Sequence, residues 1–315
     1  MSEAPVGSVT VAVPATSANL GPGFDVLGLA VNLRNQAAVQ VVGPGQPGGA
    51  PRITIEGDGA DRLARDARNL VYRGVALLFE RAGQPVPALR LHLRNDIPVG
   101  RGLGSSAAAI VGGLVASNTL LSQRFSRPEL LRIALELEPH PDNVAAALYG
   151  GLTIAVTCAG ELPIVRCVQP APGLAVALLI PQGASSTTHA RGILPQQVSR
   201  ADAVFNMGRA TLLVQALVTG DWDVLCTAME DRLHQPQRGA LFPVLVPALA
   251  AARQAGAYGA ALSGSGSTIL AFASPDQAPA VADALLGVAR QHGLTARTVI
   301  TDVADQGAVV LNNQG

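Results

Sequence analysis

The chain has 315 residues, 49% hydrophobic, 14% charged and 3% aromatic, and its 22 basic side chains balance 22 acidic ones to zero net charge. That length exceeds what one hydrophobic core usually fills, so two domains are expected. Zero net charge, scarce aromatic rings and the lack of a long apolar run argue against nucleic acid or a membrane as partner.

Ser8 to Val13 reads as a β-strand and Gln36 to Val42 as a second, followed by a Gly/Pro-rich turn over Gly43 to Pro51 and a third strand at Arg52 to Glu56. Between the first two lies Pro14 to Asp25, seven of whose twelve residues are Gly, Pro, Asn, Asp or Ser, which predicts a loop at a strand end. Asn69 to Ala82 carries Leu70, Val71, Val75, Leu78 and Phe79 at helical spacing, and Leu89 to Arg94 returns to a strand. Gly104 to Leu121 fits a buried Ala/Gly-rich helix, Pro128 to Leu137 a helix capped by Ser126, and Gly151 to Thr157 a strand. The linker-like stretch Gln169 to Gly173 places a domain boundary, dividing the chain into residues 1–170 and 171–315. Beyond it come a strand at Leu174 to Ile180, helices near Ala201 to Thr219, Asp221 to Arg232 and Pro243 to Ala255, and a strand pair around Gly259 to Phe272. Strands and helices interleave without a strict βαβ rhythm, so the expected class is α+β.

The most informative segment is Pro98, Val99, Gly100, Arg101, Gly102, Leu103, Gly104, Ser105, Ser106, Ala107 and Ala108, a glycine-punctuated turn running into a helix start. Its glycines tolerate positive φ and admit close backbone approach. The free amides and positive dipole end of the first helical turn then favour a phosphate. All 22 basic residues are arginine, so the Walker cradle, which needs a lysine on the outer phosphates, is excluded, as is Schiff-base chemistry. A plain N-capped helix after a Gly turn is the alternative; a nucleotide-using enzyme built from this chain must neutralise phosphate with backbone amides, arginine and a divalent cation.

A second glycine-serine turn, Gly256 to Thr268, leads into the strand from Ile269. Cys158, Cys167 and Cys226 lack metal-ligand spacing and read as reduced, buried thiols. His92, His189, His234 and His292 read as packed or solvated, and Trp222 as packing one helix face. The first residues lack a signal-peptide layout, which adds to the expectation of a cytoplasmic protein.

In order, Pro14 to Asp25, Pro98 to Ala108 and Gly256 to Thr268 resemble the three motifs of the galactokinase, homoserine kinase, mevalonate kinase and phosphomevalonate kinase superfamily, over nearly the whole chain. The wording Pro-Ala-Thr-Ser-Ala-Asn-Leu-Gly-Pro-Gly-Phe-Asp, without an early lysine, looks like the homoserine kinases. Three more segments fit: His140-Pro-Asp-Asn143, Ser185 to Pro195 with Arg191, and Asp231-Arg-Leu-His-Gln-Pro-Gln-Arg238. The resemblance implies a nucleotide-binding N-terminal domain, a ferredoxin-like C-terminal domain and an active site in the cleft between them. It implies ATP and Mg²⁺ as cofactors and L-homoserine as small-molecule substrate. The sequence leaves the oligomeric state open, with a homodimer among the states allowed.

Homoserine is a zwitterion. Arg191 and Arg238 can fork its carboxylate, and Asp25 can take its ammonium with Asn19 beside it. By resemblance Thr187 and Gly264 join this substrate set. Magnesium falls to the hard oxygens of Ser106 and Glu138, with Glu136 a rival because Pro139 stands where the family has glycine. Asn143 is expected to orient the substrate hydroxyl. Asp142 is the nearest carboxylate in sequence for a base, although direct transfer without one is the working expectation, and His140 either holds the loop, polarises the substrate or packs.

Overall fold

The computed structural model of the chain describes residues 7–42, 49–183 and 187–314. Most of the turn expected at Gly43 to Pro51, and Ser185 and Ser186, lie outside the described residues. In chain order the elements are β1 (Ser8–Ala18), β2 (Leu27–Val41), β3 (Arg52–Gly57), α1 (Leu70–Arg81), β4 (Leu89–Asn95), α2 (Ser105–Leu120), α3 (Arg127–Ala134), α4 (Pro141–Tyr149), β5 (Leu152–Val156) and β6 (Ile164–Val168). There follow β7 (Ala175–Pro181), α5 (Thr187–Gly192), α6 (Arg200–Thr219), α7 (Leu225–Ala228), α8 (Gln235–Gly239), α9 (Leu245–Gln254), β8 (Gly259–Leu262), β9 (Ile269–Ala273), α10 (Ala278–Gln291), β10 (Ala296–Thr301) and β11 (Val309–Gln314).

The first sheet runs β11-β1-β2-β4-β3, with β5 paired to the early part of β2 and β6 to β5. Among the described residues only the β3–β4 pair is parallel. α2 and α4 pack on β1 and β2, and α1 packs on α2, so the helix that starts at the glycine turn is anchored on the central strands. The second sheet runs β10-β7-β9-β8, all antiparallel, with helices between β7 and β8 and α10 between β9 and β10. That order is the ferredoxin-like one. β7 is buried along its whole length because both faces are covered. Val176, Leu178 and Ile180 join the large core shared with the first sheet, whereas Ala175, Ala177 and Leu179 face the α9–α10 layer.

The chain leaves the first sheet after β6, across the expected linker, and returns to it at the end, where β11 pairs with β1. Ser126 caps α3 as expected and does so in a capping box, with the Glu129 carboxylate accepting from the Ser126 N–H at 2.8 Å and hydroxyl at 2.6 Å.

The structure corrects the sequence reading in three places. Pro14 to Ala18 is strand rather than loop, because pairing with β2 resumes after an irregularity at Pro14/Ala15 and continues to Ala18 opposite Gly28. Asp221 to Arg232 is not one helix but a short 3₁₀ turn at Trp222–Val224 followed by α7. It stops because Asp231 accepts from the N–H groups of Leu233, His234 and Gln235 at 2.9, 2.9 and 2.6 Å, redirecting the chain into α8. The cysteines are free as expected but none is buried: Cys158 and Cys226 are half-buried and Cys167, on β6 at the end of its sheet, is exposed. Trp222 packs as expected, stacked on Tyr258.

Candidate active site

The glycine turn has the backbone its sequence calls for. Gly100, Gly102 and Gly104 have φ of 72°, 77° and 66°, and α2 begins at Ser105 directly after Gly104. Two of these glycines are also required by contact. A Cβ on Gly102 would lie 2.2 Å from the Ser263 carbonyl oxygen, and one on Gly104 would lie 1.8 Å from Thr16 Oγ1. The turn is thus wedged between the end of β1 and the second glycine-serine segment. Thr16 N–H donates to the Leu103 carbonyl at 3.1 Å, Thr268 N–H to that of Arg101 at 3.0 Å, and Gly264 N–H to that of Ala18 at 3.1 Å. Ser263 Oγ donates to the Gly102 carbonyl at 2.6 Å. Three segments separated by most of the chain converge through their backbones.

They border a cavity of about 360 Å³. Its lining has an apolar part, including Leu63, Leu70, Val71, Leu93 and Val99, and the cradle part Gly100, Arg101, Gly102, Gly104, Ser105 and Ser106. The remaining wall is polar, with Asn19, Glu138, His140, Asp142, Asn143, Thr187, Arg191, Arg238 and Gly264. Four of the eleven cradle residues do not line it. Leu103, Ala107 and Ala108 are buried in the core, which seats the turn, and Pro98 borders a separate hollow with Ile180 and Arg297. The Arg101 guanidinium is committed to the carbonyls of Pro181 and Val99, at 3.0 and 3.2 Å.

Asn143 is held from two sides. Its Oδ1 accepts from Thr16 Oγ1 at 2.7 Å and its Nδ2 donates to Asp142 Oδ1 at 3.3 Å. Asp142 is 2% exposed and also accepts from the Asn143 N–H at 2.6 Å. Burial pushes its carboxyl up to about 6 against the opposing pull of that hydrogen bond. Glu138 lines the cavity with Ser106 and shares a 2.7 Å hydrogen bond with His140 Nδ1. Glu136 is tied to Arg81 on the surface instead, through a 3.1 Å bond from Arg81 Nε and a second from its Nη2. Among the described residues no three His, Cys, Asp or Glu side chains form a metal centre. One carboxylate and one hydroxyl beside a phosphate cradle suit a cation that keeps waters and takes phosphate oxygens.

At the charged wall the structure differs from the expected division of labour. Asp25 and Arg191, assigned to opposite ends of a zwitterion, pair with each other at 2.9 and 2.5 Å, and Asp25 does not itself line the cavity. The carboxylate is the nearest complement for a half-buried guanidinium. Even so, Arg191 Nε is buried without a hydrogen-bond partner among the described residues. Arg238 is 1% exposed and forms no ion pair among the described residues. Burial and the neighbouring Arg191 lower its guanidinium to about 10. Its Nε donates to the Ala190 carbonyl at 3.2 Å and its Nη1 to that of Gly264 at 2.9 Å. Asn19 Nδ2 donates to the same Gly264 carbonyl at 3.1 Å, and its Oδ1 accepts from the Asp25 N–H. Thr187 Oγ1 meets Ser265 Oγ at 3.1 Å.

Residues 69–151 match the family model "GHMP kinases N terminal domain" and residues 213–289 match "GHMP kinases C terminal". The chain is 44% identical to the homoserine kinase of Desulfitobacterium hafniense, over 96% of this chain and all of that one. The chain belongs to the homoserine kinases of the GHMP family. The homoserine kinase of a Synechococcus strain is 43% identical over 96% of this chain and 97% of its own. The crystal structure of homoserine kinase from Cytophaga hutchinsonii superposes with a TM-score of 0.87 at 32% identity, covering 96% of this chain and 97% of that one. The two-domain GHMP kinase architecture expected from the motifs is therefore the observed one.

In this homoserine kinase relative, sequence reasoning did not single out Thr16, Phe24, Asp231 or Ser263 for the site. All four lie in segments that carry the resemblance, but single-letter patterns do not say which side chain spans a cleft. The Phe24 ring centroid is 5.4 Å from Arg191 Cζ and 5.5 Å from Arg238 Cζ, between two like charges.

Proposed function

We propose that this protein catalyses ATP-dependent phosphorylation of the side-chain hydroxyl of L-homoserine, giving O-phospho-L-homoserine for threonine biosynthesis in the cytoplasm. The observation that carries the reading is the meeting of an amide-built phosphate cradle with two arginines at one cavity, in a chain whose relatives are named homoserine kinases. The apolar lining suits the nucleotide base, and amides of Gly102 to Ser105 would hold its phosphates. Ser106 and Glu138 would hold Mg²⁺, which when bound neutralises phosphate charge.

The substrate carboxylate would take Arg191 Nε, which has no hydrogen-bond partner among the described residues, and the Arg238 guanidinium, which has no ion pair among them. Its ammonium would take Asp25, which requires the Asp25–Arg191 pair beside the cavity to open and exchange that one ion pair for contacts at both ends of the zwitterion. Asn143, its amide fixed by Thr16 and Asp142, would orient the hydroxyl oxygen. That oxygen forms the new bond to the γ-phosphorus as the bond to ADP breaks, and the hydroxyl proton leaves on the transferred phosphoryl group. Alignment and charge neutralisation supply most of the rate in such a transfer. A residue division at about 170, with β11 returned to the first sheet, and a homodimer belong to the same proposal.

An ADP-release assay with homoserine, mevalonate and threonine as acceptors tests it: turnover with homoserine is expected, and turnover with mevalonate in its place would sink the reading. Asn143→Ala is expected to lower kcat by roughly a hundredfold while homoserine binding is retained. Wild-type kcat in that variant would remove the orienting role.

A further inference from the structure

The substrate reading of Arg238 raises the question of what holds a buried guanidinium that has no carboxylate. Its Nη1 donates to the Gly264 carbonyl and, at 3.1 Å, meets Nδ1 of His234. The His234 side chain is 0% exposed, and its Nε2 lies 2.8 Å from the Gly21 carbonyl oxygen in the loop after β1. A guanidinium only donates and a carbonyl only accepts, so both ring nitrogens are assigned by their neighbours: Nδ1 bears the lone pair and Nε2 the proton. An imidazolium would point a second N–H at the guanidinium. Consistently, burial depresses the imidazole to about 4, with Arg238 adding to the depression and Asp231 opposing it.

We propose that His234 is a positioning residue for substrate recognition: its unprotonated Nδ1 orients the Arg238 guanidinium and its Nε2–H ties that guanidinium to the Gly21 loop. This leaves Nη2 as the corner of Arg238 not engaged by the Ala190, Gly264 and His234 contacts. The ring is itself clamped. The Phe24 ring lies 5.3 Å away, and Asp231 holds the backbone N–H groups of His234 and Gln235. Asp231 is oriented in turn by Asn206 Nδ2 at 2.7 Å, which also reaches the Pro22 carbonyl at 3.2 Å. His234 therefore joins the first loop, α8 and the second glycine-serine segment at one guanidinium.

The inference rests on the reading of Arg238 as the carboxylate anchor, and the two fail separately. His234→Asn restores an acceptor at the δ position and loses the ε donor; His234→Gln keeps an ε donor and loses the δ acceptor. Homoserine KM is expected to rise about tenfold or more in His234→Gln but less than about threefold in His234→Asn, with ATP KM unchanged in both. Equal rises in the two variants, parallel rises in ATP KM, or no rise would overturn the positioning role, since a merely structural histidine would not separate them. Arg238→Ala is the control for the underlying reading, and an unchanged homoserine KM there would remove the anchor itself.

A wild-type measurement covers the case in which the variants do not fold. In a spectrum of ¹⁵N-histidine-labelled protein, the expected pattern for His234 is an unprotonated Nδ1, a protonated Nε2 and no titration between about pH 6 and 8. A protonated Nδ1 overturns the proposal.

Discussion

The two parts of the cavity proposed to hold anions are built by opposite means. The cradle at Gly100 to Ser106 uses backbone, and its specificity lies in positive φ angles and contacts too close for a Cβ. The charged wall uses side chains from distant segments, Arg191 from α5 and Arg238 from α8, each held by carbonyls, a carboxylate or a histidine. A backbone cradle tolerates no added atom but needs no charged residue. A side-chain wall tolerates backbone variation but depends on every partner that keeps a buried charge oriented.

The sharpest way to break this contrast is to add one methyl to the cradle. Gly102→Ala or Gly104→Ala is expected to cost about 3 kcal/mol or more of stability, from strained φ plus the clash, and to abolish measurable turnover. Thermal denaturation and steady-state kinetics check this, and a wild-type melt with wild-type ATP KM would mean the turn can relax. At the wall, Arg191→Ala is expected to raise homoserine KM roughly a hundredfold with little change in ATP KM. Equal rises for both substrates would make the wall and cradle one unit.

Asp142 sharpens the comparison through pH. Its carboxyl is raised from 3.8 to about 6, so the native state holds that proton more tightly than the unfolded chain. Ionisation therefore costs stability as pH rises through this window, and the cost persists above it. Asp142→Asn should melt like the wild type near pH 4 and higher than it above about pH 6. A constant difference across pH would assign the effect to packing. The smallest effect is expected for Arg101→Ala: ATP KM should stay within about threefold, because that guanidinium serves two carbonyls. A large rise would show that a side chain, not the backbone, holds the phosphates.

Legibility followed the same division. The turn was readable because its conformation lies in local backbone preference, and Gly-x-Gly-x-Gly followed by Ser-Ser-Ala states that preference directly. α1 was readable because Leu70, Val71, Val75, Leu78 and Phe79 share one face; all but the half-buried Leu70 are fully buried. α10 carries the same kind of signal in Ala278, Val281, Ala282, Leu285, Val288 and Ala289, yet the sequence reading assigned no element there. β11 is different: its place beside β1 is a long-range pairing that no local pattern encodes. The capture of Arg191 by Asp25 and the role of Thr16 beneath Asn143 were hidden for the same reason.

The amino-acid sequence alone pointed to the class of chemistry: a lysine-free chain with the Pro14 to Asp25 motif and two glycine-serine turns in order carries the resemblance on which the proposal of phosphate held by amides and arginines rests. Only the tertiary structure decided which carboxylate faces the cavity, which arginine is paired and which has no counter-charge among the described residues, and which groups the two ring nitrogens of His234 meet. Backbone conformation is set by each residue and its neighbours along the chain. The partners of a buried charge are set by whatever the fold brings within hydrogen-bond reach.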